Sequence, residues 1–342
     1  MDIKLCIVGF GNASQAFCKL LLEKELSILK KMDVKVQVNA IAGRSKGSLL
    51  DLKGIDIESA LTQCQNNGAF DEDNVARTSM NTIDLIMASN ADVLVELSSL
   101  SIHDGQPAIS HIETAFENGM HVITANKGPI AWQYKRLNQL AESVNRQFLF
   151  ETTVMDGTPI FNLVKYTLPE CDVKSFRGIL NSTTNFVIEE MEKGNSYDGA
   201  ILEAQRRGFA EADPSMDIDG WDAAAKTTAI INVLMDGNLT PLEIDRQGIG
   251  ALTTEEILDA RKKGKKIKLL CQGYIENGMA RGSVKPIQVE ESDVFATIDA
   301  TSSILGITTD LMGEILIIEK NPEIEQTGYG IFSDLLTLLN HR

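Results

Sequence analysis

The sequence predicts an α/β fold with an N-terminal Rossmann-type doubly wound parallel sheet and a second, α+β domain. Three observations predict it. Short apolar strands alternate with amphipathic helices as far as Glu151. A pair of glycines ends the first strand and opens the first helix. Beyond Glu151 the alternation stops, and strands flank a long helical block instead.

Taken in order, "IKLCIVGFGN" is an apolar run that ends in glycines. "ASQAFCKLLLEKELSILKK" then has helical spacing, with Phe17, Leu20 and Leu21 on one stripe and Leu26 and Leu29 continuing later. "VKVQVNAIAG", "ADVLVEL", "MHVITAN" and "RQFLFET" read as further strands. "PAISHIETAFENG" and "AWQYKRLNQLAESV" are helices between them. In the second half, "DVKSFRGILNST", "KKIKLLCQGYI", "ARGSVKPIQV" and "GEILIIE" read as strands, and Thr184 to Lys262 is mostly helical. "YGIFSDLLTLL" closes the chain as an amphipathic helix. The predicted domains are 1–133, onto which a closing helix at 321–342 packs back, and 134–320.

The composition narrows the function. A length of 342 residues suits two cores, and 43% hydrophobic with 23% charged residues is ordinary for a globular chain. A formal net charge of −16 argues against nucleic acid and anionic membranes as partners. The basic run "RKKGKKIK", Arg261 to Lys268, reads as a solvated helix end feeding a strand. Cys6, Cys18, Cys64, Cys171 and Cys271 are scattered without metal-ligand spacing, which fits core thiols in a reducing compartment. No signal sequence or long apolar run is visible, so a cytoplasmic protein is expected.

"VGFGNAS" places Gly9, Phe10, Gly11, Asn12, Ala13 and Ser14 between strand and helix. The glycines allow a tight turn and the approach of a pyrophosphate to the backbone, and the helix end beyond offers free N–H groups. Ser14 replaces the usual third glycine. A plain glycine turn is the bland alternative. The second strand ends "AIAGRSKG", with no carboxylate for a ribose 2′-hydroxyl. Arg44 there suits a 2′-phosphate, which favours NADP(H) and leaves NAD(H) as the alternative.

"GFAEADPSMDIDGWDAAAK" crowds Glu211, Asp213, Asp217, Asp219 and Asp222 ahead of one cation, Lys226. From Ala223 to Met235 the helix has no solvated face. Asp222 and Lys226 stand four residues apart on its interior stripe. A buried lysine is costly unless paired, so it points to proton donation or alkoxide stabilisation in a closed polar site. A structural ion-pair cluster is the alternative. Lys127, in "TANKGPIA", falls at the carboxyl edge of the sheet, where doubly wound folds bind ligands.

The ordered series "GFGNAS", "VELSS", "TANKGPIA", "ETTVMDGTPI", "LNSTTNF", "GFAEADPSMDIDGWDAAAK" and "TGYGIFSDLL" resembles homoserine dehydrogenase across essentially the whole chain. The resemblance implies NAD(P)-dependent hydride transfer between L-homoserine and L-aspartate 4-semialdehyde. It implies Lys226 as catalytic proton donor, with Asp222, Glu211 and Lys127 binding substrate. It implies Ser98 and Gly330 beside the cofactor. It implies backbone carbonyls of Glu151, Val154, Asp156 and Thr158 around a sodium ion, and a homodimer formed through the second, substrate-binding domain. Three residues depart from the family pattern: Ser14, Phe209 where some members have tyrosine, and Asp156 where others have a small residue. The chain stops after the closing helix, where longer relatives add a regulatory domain or an aspartate kinase, so no allosteric response to threonine is expected. Two other readings compete: a dehydrogenase of another small amino acid such as aspartate, and a dinucleotide-sensing protein without catalysis.

Overall fold

The computed structural model describes residues 2–101 and 103–340. They divide into two compact units. The first comprises Met1–Pro129, Gln133–Pro159 and Glu323–Arg342, and the second Ile130–Trp132 and Ile160–Pro322.

The first unit begins with β1 (Asp2–Val8), α1 (Asn12–Met32), β2 (Lys35–Gly43), β3 (Gly47–Leu50), α2 (Ile57–Asn67) and β4 (Arg77–Thr78). It continues with α3 (Thr82–Ala88), β5 (Val93–Glu96), α4 (Ala108–Glu117), β6 (His121–Thr124), α5 (Lys127–Ser143) and β7 (Phe148–Leu149). The strands form one sheet in the order β4-β3-β2-β1-β5-β6-β7. Its five central and distal strands, β2, β1, β5, β6 and β7, are parallel, while β3 and β4 add an antiparallel edge. Those two strands span only Gly47–Leu50 and Arg77–Thr78, too short to display an alternating pattern in sequence. Between β2 and β3 the chain reverses through Gly43 to Gly47, and Gly47 takes the φ of +88° that this hairpin requires.

The domain boundary expected at residue 133 falls inside α5. That helix leads into β7, which pairs with β6, so the sheet is completed only beyond it. The strand expected over "RQFLFET" is cut to two residues, because Phe150 turns the chain into a 3₁₀ turn at Glu151–Thr153.

The second unit holds α6 (Phe161–Thr167), β8 (Val173–Ile179), α7 (Ser182–Glu192), α8 (Tyr197–Arg206), α9 (Ser215–Ile218) and α10 (Trp221–Leu234). After them come β9 (Asp245–Arg246), α11 (Thr254–Lys262), β10 (Lys265–Glu276), β11 (Met279–Glu290), β12 (Ser303–Thr309) and β13 (Gly313–Glu319). Its sheet runs β13-β12-β8-β10-β11-β9 and is antiparallel except where β9 meets β11. Helix α10 lies on β10 and β11. Gly282 of β11 permits this approach: a Cβ there would stand 2.7 Å from Ile231 Cδ1 and 2.6 Å from Ile244 Cδ1.

The basic run Arg261 to Lys268 is not wholly solvated. Lys268 is only 2% exposed and donates hydrogen bonds to Asn185 Oδ1 at 2.9 Å and to the Ile298 carbonyl at 2.6 Å. Its neighbours are charged, yet its place on β10 turns it inward between α7 and the 298–300 loop. Burial lowers its pKa from the ordinary lysine value.

The closing helix α12 (Ile324–Asn340) packs on α1 in the first unit. At Gly328 a Cβ would come within 2.8 Å of Ala16 Cβ and 2.9 Å of the Phe17 nitrogen, so the crossing depends on glycine. Ile331, Phe332, Leu335 and Leu338 enter the same apolar cluster as Phe17, Leu21 and the central strands. Among the described residues no helix is long and apolar enough to cross a membrane.

Candidate active site

At the carboxyl edge of the first sheet, the two glycines of "GFGN" do different work. Gly9 has φ +94°, and a Cβ there would lie 2.3 Å from the Leu97 carbonyl oxygen, so neighbouring backbone demands glycine. Gly11 precedes the first turn of α1, and a Cβ on it would meet nothing within 4 Å. Its bareness serves no packing among the described residues and leaves the helix end open. No side chain caps α1, and no carboxylate stands in its first turn. The unpaired N–H groups and the positive end of the helix dipole there suit the pyrophosphate of a dinucleotide. This is the fit the glycine motif requires.

The remaining residues of the motif divide by depth. Asn12 is exposed and Ala13 half-buried. Phe10 is 2% exposed, its ring 5.3 Å from that of Phe70, so only its backbone faces outward chemistry. Ser14 is buried, and its hydroxyl has no hydrogen-bond partner among the described residues, at the position a third glycine takes elsewhere. Arg44 is exposed in the β2–β3 hairpin turn.

The loops after β5 and β6 carry Ser98 and Lys127. Ser98 donates its backbone N–H to Glu96 Oε1 at 3.2 Å, and its carbonyl accepts from Asn126 Nδ2 at 3.0 Å. Asn126 caps α5, accepting from the Gly128 N–H at 3.0 Å, and Lys127 is the first, half-buried residue of that helix. Gly330, expected beside the cofactor, has a packing reason of its own. A Cβ there would stand 1.9 Å from Thr152 Oγ1 and 2.8 Å from Gly157 Cα.

Glu151, Val154, Asp156 and Thr158 share one tight turn. It opens with the 3₁₀ segment, takes φ +44° at Asp156, and is tied to α12 by Glu151 N–H to Asp334 Oδ2 at 2.9 Å. Thr327 also donates to Asp156 Oδ1 at 2.7 Å. The hydroxyl of Thr152 inside this turn is buried without a hydrogen-bond partner among the described residues, an orphaned polar atom of the kind a bound cation or water satisfies. No group of three or more His, Cys, Asp or Glu side chains gathers for a metal among the described residues.

In the second unit, α10 begins after Gly220, whose φ of +79° makes the corner with α9. Lys226 donates to the Leu180 carbonyl at 2.6 Å and lies 3.5 Å from Asp222 Oδ2. Both side chains are about one-sixth exposed, at 17% and 16%. The paired, mostly buried lysine read from the sequence is therefore present.

The five carboxylates do not act as a block. Only Asp217 and Asp222 converge on the lysine's surroundings. Asn181, the N-cap of α7, joins them: its Nδ2 donates to Asp217 Oδ1 at 2.6 Å and to Asp222 Oδ2 at 3.0 Å. Thr183 Oγ1 adds a contact to Asp217 Oδ2 at 2.9 Å. Burial first, and the neighbouring Asp222 charge second, raise the pKa of Asp217 above the usual aspartate value. Asp213 is exposed and binds the Ser215 N–H of α9. Asp219 is exposed, and its carbonyl accepts from Arg246, whose guanidinium lies 3.7 Å from the Trp221 ring. Glu211 is exposed on the loop after α8, where its carbonyl accepts from Gln205 and, among the described residues, no hydrogen bond ties its side chain to the cluster. Asn181 and Thr183 sit in "LNSTTNF"; their signal in sequence is a helix cap just beyond a strand, which does not reveal what else the cap touches.

The three most deeply buried thiols are poor nucleophiles. Cys6 and Cys18 are buried and pushed up to about 12, and Cys271 to about 11, by desolvation.

Comparison with known proteins finds similarity along nearly the whole chain. Residues 159–336 match the family model described as homoserine dehydrogenase, and residues 9–151 match that described as homoserine dehydrogenase, NAD binding domain. The chain is 36% identical over 341 residues to the homoserine dehydrogenase of Methanocaldococcus jannaschii, covering 99% of each. It is 31% identical over 341 residues to a protein of Pseudomonas canavaninivorans named NAD(+)-dependent homoserine dehydrogenase, covering 98% of this chain and 96% of that one. Among solved structures, that of a homoserine dehydrogenase from Thiobacillus denitrificans is similar with a TM-score of 0.84 at 26% identity, covering 99% of this chain and 73% of the other.

Proposed function

The chain belongs to the homoserine dehydrogenase family, and from that premise we propose how its own residues carry out the reaction. The activity is NAD(P)-dependent, reversible conversion of L-homoserine and L-aspartate 4-semialdehyde, a step of the aspartate-derived route to threonine, methionine and isoleucine. The bound dinucleotide supplies a nicotinamide carbon that accepts hydride from C4 of homoserine or returns it to the aldehyde carbon.

Lys226 moves the accompanying proton. In the reducing direction its ammonium gives a proton to the oxygen that becomes the homoserine hydroxyl; in the oxidising direction its neutral amine takes that proton back. Asp222 pairs with the lysine nitrogen, and the Leu180 carbonyl fixes its direction. Asp222 would bind substrate, Glu211 would hold its amino group, and Lys127 would contact substrate near the nicotinamide. The single observation that carries this reading is the Lys226 ammonium, hydrogen-bonded at 2.6 Å and paired at 3.5 Å on an otherwise buried helix.

Gly9 through Ser14 would cradle the pyrophosphate, with Ser98, Lys127 and Gly330 bordering the remainder of the cofactor. Arg44 favours NADP(H), because an exposed guanidinium in the β2–β3 turn suits a 2′-phosphate. The name of the Pseudomonas relative gives NAD(+) its own claim. The orphaned Thr152 hydroxyl supports a sodium ion held by the carbonyls of Glu151, Val154, Asp156 and Thr158. A homodimer through the second unit is supported by the partly exposed Leu316 and Ile318 on its edge strand β13.

The test is oxidation of NADPH and of NADH with aspartate semialdehyde, and the reverse reaction with homoserine at alkaline pH. Turnover with homoserine and none with aspartate is expected. Absence of turnover with either cofactor overturns the reading.

A further inference from the structure

A carboxylate and an imidazole lie sealed beneath the cofactor edge of the first unit. Glu96, the last residue of β5, is 0% exposed, and His111 of α4 is 5% exposed. His111 Nδ1 stands 3.3 Å from Glu96 Oε1. The imidazole and the carboxyl group are within hydrogen-bond distance, the direction following the His111 tautomer. A buried charged group is costly unless its oxygens are satisfied. Here Oε1 meets His111 Nδ1 and accepts from the Ser98 N–H at 3.2 Å, and Thr124 Oγ1 stands 3.4 Å from Oε2.

The lacing continues outward from this pair. Thr124 donates to the Glu96 carbonyl at 2.9 Å and accepts the Asn126 N–H at 3.0 Å. Asn126 in turn donates to the Ser98 carbonyl and caps the helix that starts at Lys127. The same Leu97–Ser98 backbone presses on Gly9, where a Cβ would lie 2.3 Å from the Leu97 oxygen and 2.8 Å from the Ser98 nitrogen. Three loops at the carboxyl edge, those of Gly9, Ser98 and Lys127, thus meet around Glu96: its carboxylate accepts the Ser98 N–H, its backbone carbonyl accepts from Thr124, and the backbone that follows it presses on Gly9.

We propose that Glu96 and His111 are a positioning pair for the dinucleotide site: the carboxylate, oriented by His111, sets the Ser98 backbone, against which the glycine loop and the Asn126 cap are then placed. The proposal rests on the dinucleotide reading above. Neither residue touches the cofactor; each acts through Ser98 and Asn126.

The experiment is equilibrium titration of NADPH fluorescence without amino-acid substrate, for the wild type and for Glu96→Leu, Glu96→Gln, His111→Leu and the Glu96→Leu/His111→Leu double variant, each checked for a cooperative thermal transition. Leucine removes the acceptor, while the glutamine oxygen keeps it. Glu96→Leu is expected to weaken binding about tenfold, on the scale of one hydrogen bond to a charged group. Glu96→Gln should recover most of that loss, and the double variant should bind no worse than Glu96→Leu alone. If Glu96→Leu does not fold, His111→Leu against Glu96→Gln carries the comparison. Wild-type affinity in the folded leucine variants, or losses that multiply in the double variant, would overturn the pairing. Failure of the wild type itself to bind NADPH or NADH would instead overturn the dinucleotide reading.

Discussion

The hydroxyl of Thr183 stands 2.9 Å from Asp217 Oδ2 and 2.8 Å from the carbonyl oxygen of Phe209, and it has one hydrogen to give. Asn181 Nδ2 also donates to Asp217, to Oδ1 at 2.6 Å, so both neighbours favour the ionised carboxylate. Burial first, and the Asp222 charge second, outweigh these donors and raise the pKa of Asp217.

This arrangement predicts a trade of stability for function at Asp217. A carboxyl whose pKa is raised on folding stabilises the native state only while protonated, and that contribution is lost as pH rises from the unfolded value, 3.8, through the folded one. In Asp217→Asn the new carboxamide can donate to Thr183 and still accept from Asn181. The variant is expected to melt at or above the wild-type temperature at pH 7, with the gap closing as pH falls toward 3.8. Thermal denaturation across that range checks it; a variant that melts well below wild type at pH 7 contradicts it.

Lys226→Met should leave dinucleotide binding intact and lower kcat by about 10²–10⁴, the scale of one lost general acid. Fluorescence titration beside steady-state rates separates the two effects. A folded variant with wild-type turnover would remove Lys226 from the mechanism.

Gly11→Ala and Gly330→Ala should fail in opposite ways. A methyl on Gly11 meets no protein atom within 4 Å, so the melting temperature should hold while NADPH affinity drops. A methyl on Gly330 collides with Thr152 and the Gly157 backbone, so stability should fall by about 1–3 kcal/mol, as overpacking does. Urea unfolding and cofactor titration of both variants decide the matter; equal stability loss in the two would contradict it.

Arg44→Ala should weaken NADPH binding by about tenfold or more while changing NADH binding little, because only the former carries a 2′-phosphate for a charge-assisted contact. Parallel Kd measurements with both cofactors test this, and equal losses would show that Arg44 does not read the 2′ position.

What the sequence determined by itself was local. The strand–glycine–helix opening, the strand–helix alternation, and the Asp222–Lys226 spacing on an apolar helix are periodic or contiguous, so short windows of sequence contain them. Tertiary structure decided the rest. It decided that Asp217, alone of the other four carboxylates, joins the Asp222–Lys226 pair, because Asn181, 36 residues back in the chain, reaches both Asp217 and Asp222. It turned Lys268 inward from a basic run that reads as solvated, because strand register sets which side chains face the core. It showed that Gly330 answers to the Thr152–Gly157 turn, and that Glu96 meets His111 beneath two loops. Each of these is a contact between segments separated along the chain, set by how strands pair and helices cross, and no local periodicity encodes which distant groups such packing brings within hydrogen-bond reach.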